Sequence, residues 1–206
     1  MRVDLDPDVV GGREFYAVLN SVVVPRPIAW VSSVSADGVL NLAPHSFFTV
    51  SCVRPPMVQF TSVGRKDSLN NVEATREFVV NFASEPLFEQ VNATGTNFPA
   101  GISEFEAVGL TTEPSKTIAV PRVTESPVAI ECTLHTTLEL GDSTVVIGRV
   151  RHVAIAAEAM DGDHPDIHRL RPLARLGRNE WSTIGEVLDI TRIRYDDWPG
   201  HYQHSD

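Results

Sequence analysis

Cysteine is scarce in this chain of 206 residues, with only Cys52 and Cys132, far apart and in apolar surroundings. That excludes a disulfide scaffold, and both thiols read as core residues in a reducing compartment. Long apolar runs are lacking as well. No stretch approaches membrane-spanning length, and Met1–Pro7 holds no apolar signal core, so a cytoplasmic protein is expected. Positive charge is in deficit: 17 Lys and Arg against 27 Asp and Glu leave a net charge of −10. This argues against nucleic acid or an anionic membrane as the main partner. Recognisable catalytic signatures are also missing. There is no Gly-x-Ser-x-Gly elbow, no Gly-x-Gly-x-x-Gly fingerprint and no Walker loop. The acidic stretch Asp161-Gly162-Asp163-His164-Pro165-Asp166-Ile167-His168 reads as an exposed polar loop. Its Pro spoils a helical His pair, so no metal is expected.

What is present is a succession of short elements, because 14 Pro and 13 Gly are spread along the chain. Phe15, Val18 and Leu19 have helical spacing and predict a helix over 13–20. Residues 21–35 read as extended, starting with Val22-Val23-Val24 and interrupted by Pro25-Arg26-Pro27. Asp37-Gly38 signals a hairpin returning through 39–43, and Pro44-His45-Ser46 is expected to break that strand. Further strands are predicted over 47–53, 57–61 and 78–82, with Arg54-Pro55-Pro56 as a turn and a helix over 68–75. A second helix over 85–93 puts Leu87, Phe88 and Val91 on one face. Residues 94–127 form a long Gly-, Pro- and Thr-rich excursion of the kind that serves function or an interface. Two long strands, 128–140 and 144–157, flank the hairpin signal Gly141-Asp142. Beyond them 158–180 is polar and irregular, with a last short element over 181–187. Six or seven strands, two or three short helices and no βαβ alternation predict one mainly β domain over 1–206. It would be an antiparallel barrel with helices at its rim, an N-terminal arm over 1–12 and a C-terminal extension over 158–206.

The segment Gly64-Arg65-Lys66-Asp67-Ser68-Leu69-Asn70-Asn71 packs two cations, a carboxylate and a hydroxyl just before a helical period. Unpaired amides at a helix start, the dipole and the adjacent cations suit a phosphate dianion. An ordinary capped helix with a solvated charge pair is the alternative.

That loop belongs to an ordered set: Pro25-Arg26-Pro27-Ile28-Ala29-Trp30-Val31-Ser32-Ser33, then Asn41-Leu42-Ala43-Pro44-His45-Ser46-Phe47-Phe48, Arg54-Pro55-Pro56, Arg65-Lys66-Asp67-Ser68 and Phe78-Val79-Val80-Asn81. The set resembles the flavin reductase-like proteins of the FMN-binding split-barrel superfamily, over roughly residues 25–153. The resemblance implies an antiparallel, Greek-key-like split β-barrel that holds FMN. Ser32 and Ser33 are similar to phosphate-side hydroxyls, although in a strand only one of them would reach the ligand. Ala43, Pro44, His45, Ser46 and Phe47 match the segment beside the isoalloxazine. Arg65, Lys66, Asp67 and Ser68 match a second phosphate-side loop. Trp30, Phe47 and Phe48 read as core aromatics rather than flavin-stacking rings, and His45 equally as a ligand contact or a loop residue bonded to backbone. Asn81 reads as a structural polar contact, and His152 as a sheet-surface residue.

The resemblance implies an FMN-dependent oxidoreductase using NAD(P)H, with the flavin rather than a side chain as the reacting group, acting on a small molecule as a homodimer with FMN near the interface. One departure matters. Where many family members carry Gly-Asp-His, this chain has Gly141-Asp142-Ser143. A flavin carrier, or an oxidoreductase with another organic donor, is therefore the alternative, and a pyridoxamine-phosphate-oxidase-like relative a third. The segment Arg175-Leu176-Gly177-Arg178-Asn179-Glu180-Trp181 also resembles a family segment, one placed to cover the flavin.

Overall fold

The computed structural model describes residues 1–99 and 101–200. After a helical turn, α1 (Pro7–Val10), helix α2 runs over Gly12–Val22. The predicted extended run at Val22-Val23-Val24 is thus corrected. Helix α2 continues through Val22, and three β-branched residues do not make a strand without a neighbour to pair with. Pairing starts only at β1 (Arg26–Pro27) and β2 (Ala29–Val34). A loop closed by Val39 N donating to Ser35 O𝛾 then returns the chain into β3 (Leu40–His45).

Strands β4 (Phe48–Cys52) and β5 (Met57–Val63) lead into helix α3 (Asp67–Thr75) and β6 (Glu77–Phe82). A 3-10 turn and α4 (Phe88–Ala93) replace the single predicted helix. Leu87 and Val91 are buried there, whereas Phe88 points elsewhere. The excursion contains α5 (Glu104–Ala107) and a two-residue ribbon, β7 (Thr112–Glu113) with β8 (Arg122–Val123). Long strands β9 (Val128–Leu140) and β10 (Ser143–Ile155) follow as expected. The Asp161–His168 stretch forms the small hairpin β11 (Met160–Asp161), β12 (His164–Pro165) and the turn α6 (Ile167–Leu170). Finally β13 (Ala174–Arg175) and β14 (Trp181–Ser182) join β1 in a three-stranded sheet. The last predicted element shrinks to those two residues of β14. Of the predicted C-terminal extension, 201–206 lie outside the described residues.

The main sheet is antiparallel in the order β3-β2-β6-β9-β10-β5-β4. Its two edge strands, β3 and β4, are consecutive in sequence, so Ser46 and Phe47 carry the chain from one edge to the other and close a split barrel. Strand β2 is buried on both faces. Ala29 and Val31 enter the barrel core with Phe60, Phe78 and Val146, while Trp30 enters an outer core with Leu42, Val91 and Phe105. Helix α3 plugs one end of the barrel with Leu69 and Val72, which sets its N-terminus at the rim. Strand β9 bulges at His135, opposite Gly148 of β10, where a Cβ would stand 2.3 Å from Phe78 Cζ, so only glycine admits that ring. The excursion is pinned by a fully buried carboxylate. Glu131 on β9 accepts from Lys116 N and Thr117 N at 2.7 Å each and from Thr117 O𝛾1 at 2.6 Å. Burial would raise this carboxyl, but those donors, with His152 nearby, bring it below the usual carboxylate value. No helix among the described residues is long and apolar enough to cross a membrane.

Candidate functional site

The barrel's split is filled by a cavity of about 410 Å³. One wall is the corner between β3 and β4, residues Ala43–Phe47, and opposite it stand Thr61 and Val63 of β5. The rim is the loop Arg65–Ser68 at the start of α3, with Thr94–Phe98 and Glu104 from the excursion and Tyr16 from α2. Nine of the eleven residues expected at a cofactor site, 43–47 and 65–68, are thereby brought together. The other two, Ser32 and Ser33, do not line the cavity.

Both of those serines are fully buried in β2. Ser32 O𝛾 donates to Pro121 O at 2.8 Å and accepts from Asn81 Nδ2 at 3.2 Å, tying the excursion to the sheet. Ser33 O𝛾 accepts from Asn41 Nδ2 (3.3 Å) and Asn71 Nδ2 (3.2 Å). Asn41 in turn reaches Ser68 O𝛾 at 3.1 Å, so Ser33 lies one hydrogen bond behind the lining.

Pro44 does not break β3, contrary to expectation. It pairs with Trp30 inside the strand, and the edge position explains the tolerance, because a missing N–H on the open side leaves no ladder bond unmade. The next residue, His45, is buried with its ring 4.7 Å from that of Phe60 and its Nε2 without a partner among the described residues. Burial, opposed by a hydrogen bond to the Thr61 main chain and reinforced by the Lys66 charge, lowers its pKa from 6.5 to about 4. The imidazole at neutral pH is therefore uncharged.

At the rim the N-cap of α3 is Lys66, in extended conformation and without a side-chain capping bond. Neither Asp67 nor Ser68 is the cap: both lie inside the first turn, and among the described residues no side chain accepts from the first-turn amides. Arg65 is ion-paired with Glu73 of the same helix, and Lys66 Nζ reaches Asn97 Oδ1 at 3.5 Å. Within the wall, buried Glu104 accepts from Leu42 N at 2.9 Å through Oε2. Burial raises the Glu104 carboxyl, against the Leu42 amide and with help from the nearby Asp67 charge.

Glu104, Tyr16 and the Thr94–Phe98 loop were not anticipated from the sequence. The long excursion carries no periodic pattern, and its length was its one signal. A buried anchor in that loop also escaped notice, since Trp30 Nε1 donates to Thr94 O𝛾1 at 2.8 Å. The arrangement as a whole offers cations and open amides at one end and main chain with a neutral imidazole at the other. It suits an elongated ligand with an anionic tail and a planar hydrogen-bonding head.

Known proteins resemble this chain in sequence and in fold. The model of the flavin reductase like domain matches residues 21–173. A protein of Aquifex aeolicus is 40% identical over 172 residues, covering 81% of this chain and 88% of that one. One of Halalkalibacterium halodurans is 36% identical over 200 residues, covering 91% and 95%. Among solved structures, nitrilotriacetate monooxygenase component B from Bacillus cereus matches with a TM-score of 0.89 at 30% identity, over 92% of this chain and 99% of that one. The 2-nitrobenzoate 2-nitroreductase of Pseudomonas fluorescens gives 0.87 at 30% identity, over 94% and 98%.

Proposed function

Because this chain belongs to the flavin reductase-like domain family, we propose that it is an FMN-binding oxidoreductase that takes electrons from NAD(P)H. The observation that carries this reading is the meeting, in one cavity, of the Ala43–Phe47 corner with the Arg65–Ser68 loop. The residues suit the two ends of FMN. Lys66, the first-turn amides of α3 and, less strongly, the ion-paired Arg65 would hold the phosphate. Main chain of Ala43–Phe47 and His45 Nε2 would face the ring. With the imidazole neutral and its other nitrogen engaged on the Thr61 main chain, Nε2 is an acceptor suited to a ring N–H.

When bound, the flavin supplies the hydride- and electron-transfer chemistry, so no side-chain nucleophile is required. The protein's part is to anchor, to orient and to keep water from the buried side of the ring. Asp67 and Glu104 share this wall, so Lys66 and the first-turn amides would have to outweigh their charge at the phosphate. We also read the chain as one cytoplasmic domain acting as a homodimer. The exposed Leu188 and Ile190 of the C-terminal arm and Val22 of α2 are apolar surface suited to a second copy.

One observation favours a second reading. At the β9–β10 hairpin, Ser143 O𝛾 merely donates to the neighbouring Asp142 Oδ1, so this tip offers no imidazole to a nicotinamide. A flavin carrier, or an enzyme with another organic donor, accords with that. The test is direct: purify the protein, record its visible spectrum, and follow NADH and NADPH oxidation with FMN present. Turnover above the free-flavin background is expected. Bound flavin that neither nicotinamide reduces would give the second reading the case, and a colourless protein that binds no added FMN would end both.

A further inference from the structure

A second cavity, of about 650 Å³, opens beside the first. Pro44, Ser46 and Gly95 belong to both walls, so a molecule in one cavity faces a molecule in the other across this partition. The remaining lining comes from Ile28, from Phe88 and Asn92 on α4, and from Arg175, Asn179 and Trp181 in the β13–β14 hairpin. That hairpin is held firmly against the barrel. Arg26 of β1 sits opposite Arg175, and its buried guanidinium donates to Leu176 O at 2.8 Å and Val23 O at 3.1 Å. The Arg175 guanidinium lies 4.6 Å over the Trp181 ring, with Nη2 donating to Arg178 O at 2.9 Å. Trp181 meets Phe88 edge-on at 5.2 Å.

The charge here is unbalanced. No carboxylate lines the cavity, and among the described residues neither Arg26 nor Arg175 has an acidic ion-pair partner. Their hydrogen bonds go to neutral carbonyls and, for Arg26, the Ser46 hydroxyl at 3.5 Å. Burial first, then the Arg175 charge, hold the Arg26 guanidinium below its ordinary value, against the opposing effect of Tyr16. In a chain of net charge −10, two adjacent guanidiniums lacking a counter-ion await an anion from outside. The walls join the rings of Phe88 and Trp181 and the carbons of Ile28 and Pro44 to the amides of Asn92 and Asn179 and the Ser46 hydroxyl, and stacking fixes the plane of the Arg175 fork. A dinucleotide would bring several phosphate charges to the single open cation, Arg175, whereas one carboxylate on a flat body matches it.

We propose that this cavity binds a planar organic carboxylate, its carboxylate on Arg175 and its ring between the Phe88–Trp181 pair on one side and the Pro44 partition on the other. The proposal rests on FMN occupying the first cavity, so that this ligand lies beside the flavin.

Benzoate, with benzamide as neutral isostere and inorganic phosphate as rival anion, is the probe. Calorimetric titration is run on the whole protein with and without added FMN. Benzoate is expected to bind at least about tenfold more tightly than either comparator, the range of one charge-assisted bond. Arg175→Gln should weaken benzoate about tenfold or more, and Arg175→Lys by less. Arg171→Gln, a remote cation paired with Glu85, should change nothing. Benzoate should also shift the visible spectrum of bound flavin, and FMN affinity of Arg175→Gln should stay as in the wild type. Circular dichroism checks that Arg175→Gln is folded, and Trp181→Leu gives a second disruption of the same site. Equal binding of benzoate and benzamide, tighter binding of phosphate, undiminished benzoate binding by Arg175→Gln or Trp181→Leu, or an unmoved flavin spectrum each overturn the proposal. Failure of FMN to bind, with Arg175-dependent benzoate heats retained, removes the flavin reading instead.

Discussion

The two cavities on either side of Pro44, Ser46 and Gly95 hold their cations in opposite circumstances. In the first, Arg65 is already tied to Glu73, Lys66 leans on Asn97, and Asp67 and Glu104 stand in the same wall. At the second, Arg175 in the lining and Arg26 behind it have neutral partners alone among the described residues. A local excess of positive charge can thus be made in two ways in an acidic protein. One is a dipole-aided rim where cations and acids are interleaved and geometry decides. The other is a stacked cation with no acid near it, where net charge decides. The first discriminates by shape and the second by sign.

The comparison is tested most severely at the rim. Replacing Arg65 and Lys66 together by Ala should cost roughly 3–4 kcal/mol of FMN affinity, taking charge-assisted bonds at about 1.5–3 kcal/mol each. Riboflavin, which lacks the phosphate, should bind as before. Because Arg65 is shared with Glu73, Lys66→Ala alone should carry most of the loss, and titrations of the two single variants would reveal an equal split if the rim is not interleaved as described.

Next in size is a pH effect confined to the first cavity. His45 has a folded pKa of about 4 against an ordinary 6.5, so the unfolded chain takes up the proton first. Stability is then fully present above pH 6.5 and falls as pH drops toward 4, by up to ~3 kcal/mol at 1.36 kcal/mol per pH unit. Urea midpoints measured across that window should slope in the wild type and flatten in His45→Gln. A slope that survives the substitution would assign the acid sensitivity elsewhere.

A smaller loss is expected from Glu104→Leu, which leaves the buried Leu42 N–H without its acceptor and should destabilise by about 2 kcal/mol. Glu104→Gln keeps an acceptor and should recover most of that in thermal denaturation. Smallest is Gly95→Ala in the shared partition. Its Cβ would stand 3.2 Å from Asn92 O and 3.5 Å from Pro44 C𝛾, close enough to press on both cavities. We expect ligands of both to weaken by less than about 1 kcal/mol. A change in one and not the other would show that the partition is not common.

The same contrast explains what could be read in advance. The first cavity is built from two unbroken segments, 43–47 and 65–68, whose Pro, His and paired cations stand out within a few residues of one another. The second takes single residues from segments up to 153 positions apart, Ile28 to Trp181, and contiguity offers no hint of that. The segments 25–33, 41–48 and 175–181 all belong to the family resemblance, but nothing in the sequence joins them into a second cavity. Strand β2 shows another limit. Ser32 and Ser33 sit where a motif puts them, but a strand buried on both faces hides which hydroxyls meet the ligand, and here both serve the scaffold. The long hairpin 128–155 was legible nearly to the residue, because β-branched runs and Gly141-Asp142 agree locally. Val22-Val23-Val24 misled for the converse reason: local β preference yielded to a helix already under way.

The bond from Leu42 N to Glu104 has a consequence outside the site. Strand β3 is an outer margin of the main sheet, where an incoming extended chain would otherwise find a template for growth. Here Pro44 has no hydrogen to give, and the Leu42 amide is sealed by an acid from the excursion. Two successive docking points for a foreign strand are thereby removed. Severing the carboxylate would free the second of them, and fibrillar self-association is the hazard against which this margin is guarded.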